Sequence, residues 1–571
     1  MNRSIARGPW LAAIAALSLL VLTGALPEAE AKPPARAARY MIAAANPLAA
    51  RTGLEVLREG GSAVDAAIAA QLVLNLVEPQ SSGIGGGAFL LHYDATENKI
   101  TAYDGRETAP AAATPGLFLT PGGEPMKFWD AVVGGRSVGV PGLLAMLELA
   151  HKDQGRLPWA RLFQPAIGLA EQGFAVSPRL AGLIAKDKYL KTFPATAAYF
   201  HGADGSPHPA GQRLANPAFA QTLKRIAKGG AEAFYNGPIA REIVAAVTGA
   251  GRNPGAMTLA DLAGYEAKRR DAVCAPYRSF RVCGMGPPSS GAVAVLQTLG
   301  ILQSFDLPAL APNSAEAVHL IAEAGRLAFA DRNLFLADSD FVPVPVARLL
   351  DPAYLARRAR AISPVKTLGK AAPGLPAQNG AMPAQADPPA TSHLVVVDGA
   401  GNIVSMTTSI ESAFGSRLMV GGFMLNNELT DFSFRPEAEG RPVANRVEPG
   451  KRPRSSMSPT LVFGADGRPV LALGSPGGSR IIGYVLQTLV AVLDWGLDIQ
   501  AAVELPHAVN RNGPTDLEEG TALTALKPAL EALGHEVRLR KLTSGLHGIA
   551  ITAHGLEGGA DPRREGVALG D

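Results

Sequence analysis

The stretch that decides the fold is "PPATSHLVVVDGAGNIVSMTTSI", Pro388 to Ile410. A segment rich in proline and alanine stops at Thr391-Ser392 and passes at once into two short apolar runs, Leu394 to Val397 and Ile403 to Met406. Between them Asp398-Gly399-Ala400-Gly401-Asn402 has the composition of a turn. The pattern predicts a buried β-hairpin whose first strand begins directly behind Thr391. Upstream, "KAAPGLPAQNGAMPAQADPPA" from Lys370 to Ala390 is too rich in Pro, Ala and Gly for regular packing and reads as an exposed linker. A threonine at the edge of a linker and the head of a strand suits one chemistry. If the peptide bond before it is cut, its hydroxyl becomes a nucleophile and its freed α-amine the adjacent general base.

Working outward toward the N-terminus, "ANPLAARTGLEVLREGG" predicts a helix capped by Asn46, with Pro47 in the first turn and Gly60-Gly61 as the stop. Ser62 and Asp65 form a capping box for a second helix that is apolar all round and therefore buried. "SSGIGGGAFLLHYDATENKITAYDGRETAP" follows, a glycine loop and two strands, Ala88 to Tyr93 and one ending near Tyr103. The middle of the chain has helical periodicity at Pro141 to Lys152, Trp159 to Gln172, Asn216 to Lys228 and Ser314 to Ala337. Beyond Thr391 the pattern is β-rich, including "GGFMLNNELTDF", "TLVFGADGRPVLALGSPGG", "HEVRLRK" and "HGIAITA", with a helix at "SRIIGYVLQTLVAVLDWG". Helices outside strands imply a layered α+β or α/β fold.

The 571 residues carry a formal net charge of only +3. Basic clusters such as Arg357, Arg358 and Arg360 lack interleaved aromatics and read as a solvated helix face, not a nucleic-acid patch. Arg3 and Arg7 precede an apolar stretch, Trp10 to Leu22, and Ala29-Glu30-Ala31 supplies a small-x-small cleavage site. At about 1.5 Å per residue that stretch falls short of a roughly 30 Å bilayer core, so residues 1–31 read as a cleaved secretory signal and the mature protein as periplasmic or secreted. The two cysteines, Cys274 and Cys283, could bridge a hairpin or remain as buried thiols, and they are too few for a structural zinc site.

Several catalytic patterns fail on context. "GIGGGA" at Gly83 to Ala88 follows a helix and precedes a strand, the reverse of a dinucleotide-binding loop. "SPVK" at Ser363 to Lys366 lacks the companion motifs of penicillin-recognising enzymes, and Leu473 stands where a nucleophile elbow around Ser475 needs glycine. The ten histidines show no metal-ligand spacing.

The segment "TSHLVVVDGAGNIVSMTTSI" resembles the processing-site hairpin of the γ-glutamyltransferases, which are N-terminal nucleophile hydrolases. "EPQSSGIGGGAFLL", "DGRETAP", "PPSSGA", "LNNELTDFS", "KRPRSSMSPT", "GSPGGSRI" and "GADPRREG" follow in the order of that family, from Ala44 to the end. The resemblance implies an α+β, four-layer αββα sandwich with extra helices. It implies a large chain 32–390 and a small chain 391–571, forming one structural unit after a cut between Ala390 and Thr391.

Thr391 would be the nucleophile, Ser409 the supporting hydroxyl in place of a second threonine, and the N–H groups of Gly477 and Gly478 the oxyanion hole. Arg106, with Ser455 and Ser456, would grip the donor's α-carboxylate, and Glu428 and Asp431 its α-ammonium, on either side of the nucleophile. Glu411 stands where family members carry Asn and would add a third carboxylate near the amine or the acceptor. The segment after Asp431, "FSFRPEAEGRPVANRVEPG", is shorter than the covering loop of some members and has no Tyr or Trp to gate the site. The implied reaction takes a γ-glutamyl group from glutathione or a related amide to water, an amino acid or a peptide, with no metal or cofactor. A glutaryl or β-lactam acylase on the same scaffold, or a non-catalytic binder of γ-glutamyl peptides, are the competing readings.

Overall fold

In the computed structural model the hairpin is the centre of one of two stacked sheets. The structure describes residues 32–376, 379–381 and 390–571. Residues 1–31, which the sequence reads as a secretory signal, and residues 377–378 and 382–389 of the expected linker lie outside the described residues. Pro33 to Asp571 form one compact unit.

The strands of the two main sheets are β1 (Ala35–Ala37), β2 (Met41–Ala44), β3 (Gly87–Asp94), β4 (Lys99–Gly105), β5 (Lys268–Arg270), β6 (Val273–Tyr277), β7 (Phe280–Gly284), β8 (Ser392–Val397), β9 (Ile403–Ser409), β10 (Thr460–Phe463), β11 (Pro469–Gly474), β12 (His547–Thr552), β13 (Gly555–Ala560) and β14 (Val567–Gly570). Both sheets have seven strands, in the orders β14-β2-β8-β9-β3-β4-β5 and β1-β13-β12-β11-β10-β7-β6. The hairpin β8–β9 thus lies inside the first sheet, paired to β2 and β3 on either side.

Side chains along β8 alternate as a strand buried on both faces requires. Leu394 and Val396 pack with helices α1 (Pro47–Arg58) and α2 (Ala63–Val77). Val395 and Val397 pack with the second sheet, among Leu461, Leu471 and Leu473. Helices α3 (Gly291–Leu302), α4 (Ala315–Phe335) and α5 (Ile481–Leu493) share that second core. The result is an αββα sandwich.

Local chemistry fixes the hairpin. Asp398 Oδ1 accepts from the N–H groups of Ala400 and Asn402 at 2.9 and 3.0 Å, closing the turn. Its other oxygen accepts from Ala63 N at 3.1 Å, which ties the turn to the first residue of α2. Asn46 accepts from Leu48 N, and Ser62 with Asp65 completes the predicted capping box.

Three expectations need adjusting, and one open alternative is settled. "GGFMLNNELTDF" is only briefly extended, at Phe423–Met424, and then turns through a 3-10 segment, Glu428–Asp431. Asn426 Oδ1 accepts from Glu428 N and Gly139 N, both at 2.9 Å, and the side chain so competes with strand pairing. Part of the linker is docked: Ala371 N donates to Asn512 Oδ1 at 2.7 Å and Gly374 N to Asp331 Oδ1 at 2.7 Å. Arg358 leaves the solvated face to donate to the carbonyls of Leu327 and Ala372, whereas Arg357 and Arg360 are exposed. Cys274 and Cys283 are directly opposite on β6 and β7 and are joined as a disulfide.

Candidate active site

The hairpin register brings together the first two residues that the sequence singles out. Val397 faces Ile403 and Ser392 faces Thr408, so the next pair outward is Thr391 with Ser409. Their hydroxyls are 3.2 Å apart, and Ser409 Oγ also accepts from Glu411 N at 2.8 Å. The Thr391 hydroxyl is in contact with the carbonyl oxygen of Ala390, the residue before it in the uncut chain. Both residues are 3 % exposed. On its other side, Arg564 Nη1 donates to Thr391 O at 2.8 Å. Ser392 Oγ donates to Glu78 Oε2 at 2.9 Å, and Glu78 is paired with Arg179 at 3.0 Å. Thr391 is thus tied through its carbonyl to Arg564 near the end of the chain, and its neighbour Ser392 through its hydroxyl to Glu78 near the start.

Thr391 opens onto a cavity of about 320 Å³. Ala390, Ser409, Glu411, Glu428, Asp431, Arg106, Ser455, Ser456 and Gly478 line it as well. Gly477, the remaining predicted residue, is not among the lining residues. Both glycines have positive φ, 137° and 60°, and a Cβ on Gly477 would come within 2.6 Å of the Tyr484 ring. Gly478 starts a 3-10 turn that runs into α5. The N–H groups here belong to a helix entrance, where negative charge is favoured.

Arg106 is 1 % exposed and is the hub of the charged part of the cavity. Its Nη1 pairs with Glu428 Oε1 and its Nη2 with Asp431 Oδ2, while Nε donates to Pro453 O at 3.0 Å. The sequence reading put this arginine and the acidic pair on either side of the nucleophile; they are in direct contact. A guanidinium buried this deeply requires carboxylate partners, and these supply them. Burial works against the charge of Arg106, but Glu428, Asp431 and Glu107 outweigh it and hold its pKa above the ordinary value. Burial and the charge of Asp431 push Glu428 up to about 7 against the pull of Arg106. Burial, with Glu428 nearby, raises Glu107 well above the usual carboxylate range.

The serines are positioned by "PPSSGA". Ser455 N donates to Pro288 O at 3.0 Å, and Ser290 N returns a bond to Ser455 O at 2.8 Å. Ser456 Oγ accepts from Arg332 Nη2 at 2.6 Å. Glu411 has φ +74° and accepts from Asn427 Nδ2 at 2.8 Å. Sequence reasoning missed Arg332, Thr430 and Arg454, which also line the cavity. Arg454 lies inside the quoted "KRPRSSMSPT", so a signal was present; Arg332 sits in a long helix without one.

Three potential metal donors also converge, against the sequence reading: His319, Glu323 and His535 lie within 4.8 Å of one another. Their hydrogen bonds account for them. His319 Nε2 donates to Ser363 O, so its Nδ1 accepts from His535 Nε2 at 2.7 Å. His535 Nδ1 in turn accepts from Thr515 and Arg326, and Arg326 is paired with Glu323. A cation at that centre would meet a guanidinium, and the three side chains form a hydrogen-bonded network with Arg326 in which burial lowers His535 to about 4.

Comparison with known proteins bears on what this arrangement does. Residues 49–571 match the family model described as gamma-glutamyltranspeptidase. The chain is 38% identical to the glutathione hydrolase proenzyme of Bacillus subtilis (strain 168), over 97% of both chains. It is 37% identical to the Acylase ACY 1 proenzyme of Pseudomonas sp. (strain SE83), over 94% of both. Among solved structures it is similar to the cephalosporin acylase from Bacillus halodurans, with TM-score 0.81, 27% identity, and 96% and 98% of the two chains covered.

Proposed function

The chain belongs to the gamma-glutamyltranspeptidase family, and from that membership we propose that it is an exported, self-processing enzyme that cleaves γ-glutamyl amides such as glutathione. The observation that carries the reading is the shared cavity: the Thr391 hydroxyl, supported by Ser409, opens on the same space as Arg106 and Asp431.

Maturation comes first. The Thr391 Oγ adds to the Ala390 carbonyl carbon, the Ala390–Thr391 C–N bond breaks, and the hydroxyl proton passes to the departing nitrogen. Water hydrolyses the resulting ester, leaving an Ala390 carboxylate on the chain 32–390 and a free hydroxyl and amine on Thr391. The contact between that hydroxyl and the Ala390 carbonyl supports this step. Catalysis repeats the chemistry in two halves. The α-amine takes the hydroxyl proton, Oγ attacks the γ-carbonyl of the donor, and the oxyanion is met by the N–H groups of Gly477 and Gly478. The amine then protonates the leaving nitrogen. Water, or the amine of an amino acid or peptide, attacks the γ-glutamyl ester and regenerates Thr391.

The cradle explains the choice of donor. An α-amino acid head is itself an ion pair, so it can enter between Arg106 and Asp431 with no charge left uncompensated. Its carboxylate takes the guanidinium, helped by Ser455 and Ser456, and its ammonium takes Asp431 and Glu428, with Glu411 as a further carboxylate nearby. A glutaryl head brings only a carboxylate and leaves Asp431 without its partner, a costly outcome at a partly buried site. The test compares γ-glutamyl and glutaryl p-nitroanilides on the processed protein. A higher kcat/KM for the γ-glutamyl donor is expected, and a preference for glutaryl would replace this reading with that of an acylase.

A further inference from the structure

A second charged surface in the same cavity lies outside the cradle. It is built from the turn Gly478–Arg480, the loop 511–514 and the small sheet in which Thr515–Glu518 pairs in parallel with Val537–Arg540. Period-two alternation puts Arg538 and Arg540 on one face of their strand. With Arg511 they line the cavity, and Asp516 is the carboxylate among them. The parts are tied together: Arg511 Nη1 donates to Ser479 Oγ at 2.6 Å, and Asp516 is bridged by Arg480 at 3.0 Å and Arg540 at 3.0 Å. Arg538 is paired with Glu536 at 2.6 Å, with 49% of its side chain exposed.

We propose that this arginine wall is a carboxylate subsite for the group on the far side of the scissile bond, the C-terminal carboxylate of a leaving or incoming peptide. The inference rests on the γ-glutamyl reading and extends it to the other half of the substrate. With the head group in the cradle and the γ-carbonyl oxygen at the glycine pair, the amide nitrogen continues past Gly478 and Ser479, to which Arg511 is bonded. A dipeptide such as cysteinylglycine reaches about 7 Å beyond that nitrogen, and its terminal carboxylate then meets a surface where Arg480, Arg511, Arg538 and Arg540 outnumber the carboxylates Asp516 and Glu536. Acceptor attack is the reverse of acylation, so an incoming peptide passes through the same place.

Two assays separate the sources of carboxylate. In the first, the processed enzyme hydrolyses glutathione and its C-terminal amide. In the second, γ-glutamyl-p-nitroanilide is the donor, with glycylglycine or its amide as acceptor. The carboxylate form is expected to be favoured about five- to tenfold in kcat/KM, mainly through KM, as suits charge-assisted contacts at a half-exposed surface. That preference should shrink toward one near 1 M salt, where the screening length is about 3 Å. A preference in the first assay alone assigns the subsite to leaving groups, and in the second alone to acceptors.

Arg538→Glu and Arg511→Gln should each lower the ratio between the carboxylate and amide forms. The wild-type ratios and their salt dependence decide the matter even if a variant fails to fold. Equal rates for acid and amide in both assays, from an enzyme that does cleave γ-glutamyl-p-nitroanilide, overturn the subsite alone. Failure to cleave any γ-glutamyl donor overturns the reading beneath it as well.

Discussion

The cradle and the arginine wall hold charge in opposite ways. Arg106 and Glu428 have side chains 1% and 2% exposed and Asp431 29%, and their charges compensate one another at contact distance. Arg538 and Arg540 have side chains 49% and 46% exposed, Arg538 paired with the exposed Glu536 two residues before it and Arg540 with the buried Asp516 on the neighbouring strand. Where water is excluded, an uncompensated charge costs several kcal/mol, so a ligand must replace each partner it displaces. Where water is present the same charges are screened and contribute little apiece. On the proposed function, one end of the cavity would select by complementarity and the other would attract by field. The cradle should respond sharply to single changes, and the wall gradually.

The largest break in that contrast comes from Arg106→Gln. It leaves Glu428, Asp431 and Glu107 without their shared cation, and should cost about 3–5 kcal/mol of stability, read as a lowered Tm with loss of turnover. Asp431→Asn should cost roughly tenfold to a hundredfold in kcat/KM on γ-glutamyl donors, one charge-assisted hydrogen bond. Glutaryl donors should be relatively spared, and the chain should still be cut. Equal losses on both donors would transfer amine recognition to Glu411 and Glu428.

A pH profile sharpens the comparison next. Glu428, raised to about 7, is protonated below that value, so donor capture should strengthen as pH rises through neutral. The α-amine base, with an ordinary pKa of roughly 7.7 to 8.0, adds a rise of its own in turnover. Glu428→Gln should remove the first rise and keep the second, measured as KM and kcat separately.

The effect with least bearing on the cavity comes from two buried histidines outside it. Burial lowers His92 and His547 from 6.5 to about 4. The unfolded chain therefore takes up protons first, and stability present above pH 6.5 is lost as pH falls toward 4, on the order of 3 kcal/mol per histidine. Thermal unfolding at pH 7 and pH 4.5 should show that loss, and His547→Gln should flatten it.

What was readable beforehand follows from how each feature is encoded. The hairpin, its turn and the helix caps are local patterns, and the register that sets Ser409 opposite Thr391 follows from the turn. The cradle residues lie in short motifs whose order along the chain resembles a family, so they were found one by one; their mutual contact was not, because it is created by burial. Arg511, Arg538 and Arg540 come from a loop and a strand with no shared pattern, and only the fold brings them to one surface. The docking of Ala371 and Gly374 was missed for the same reason: Asn512 and Asp331 hold that backbone from positions distant in sequence.

The central claim is that the chain makes its own nucleophile by cutting before Thr391. A denaturing gel of the purified protein, with N-terminal sequencing of the smaller band, tests it directly. The account predicts two fragments, 32–390 and 391–571, the second beginning Thr-Ser-His, and a single uncut and inactive chain for Thr391→Ala. A wild-type chain that stays intact and is fully active would contradict it.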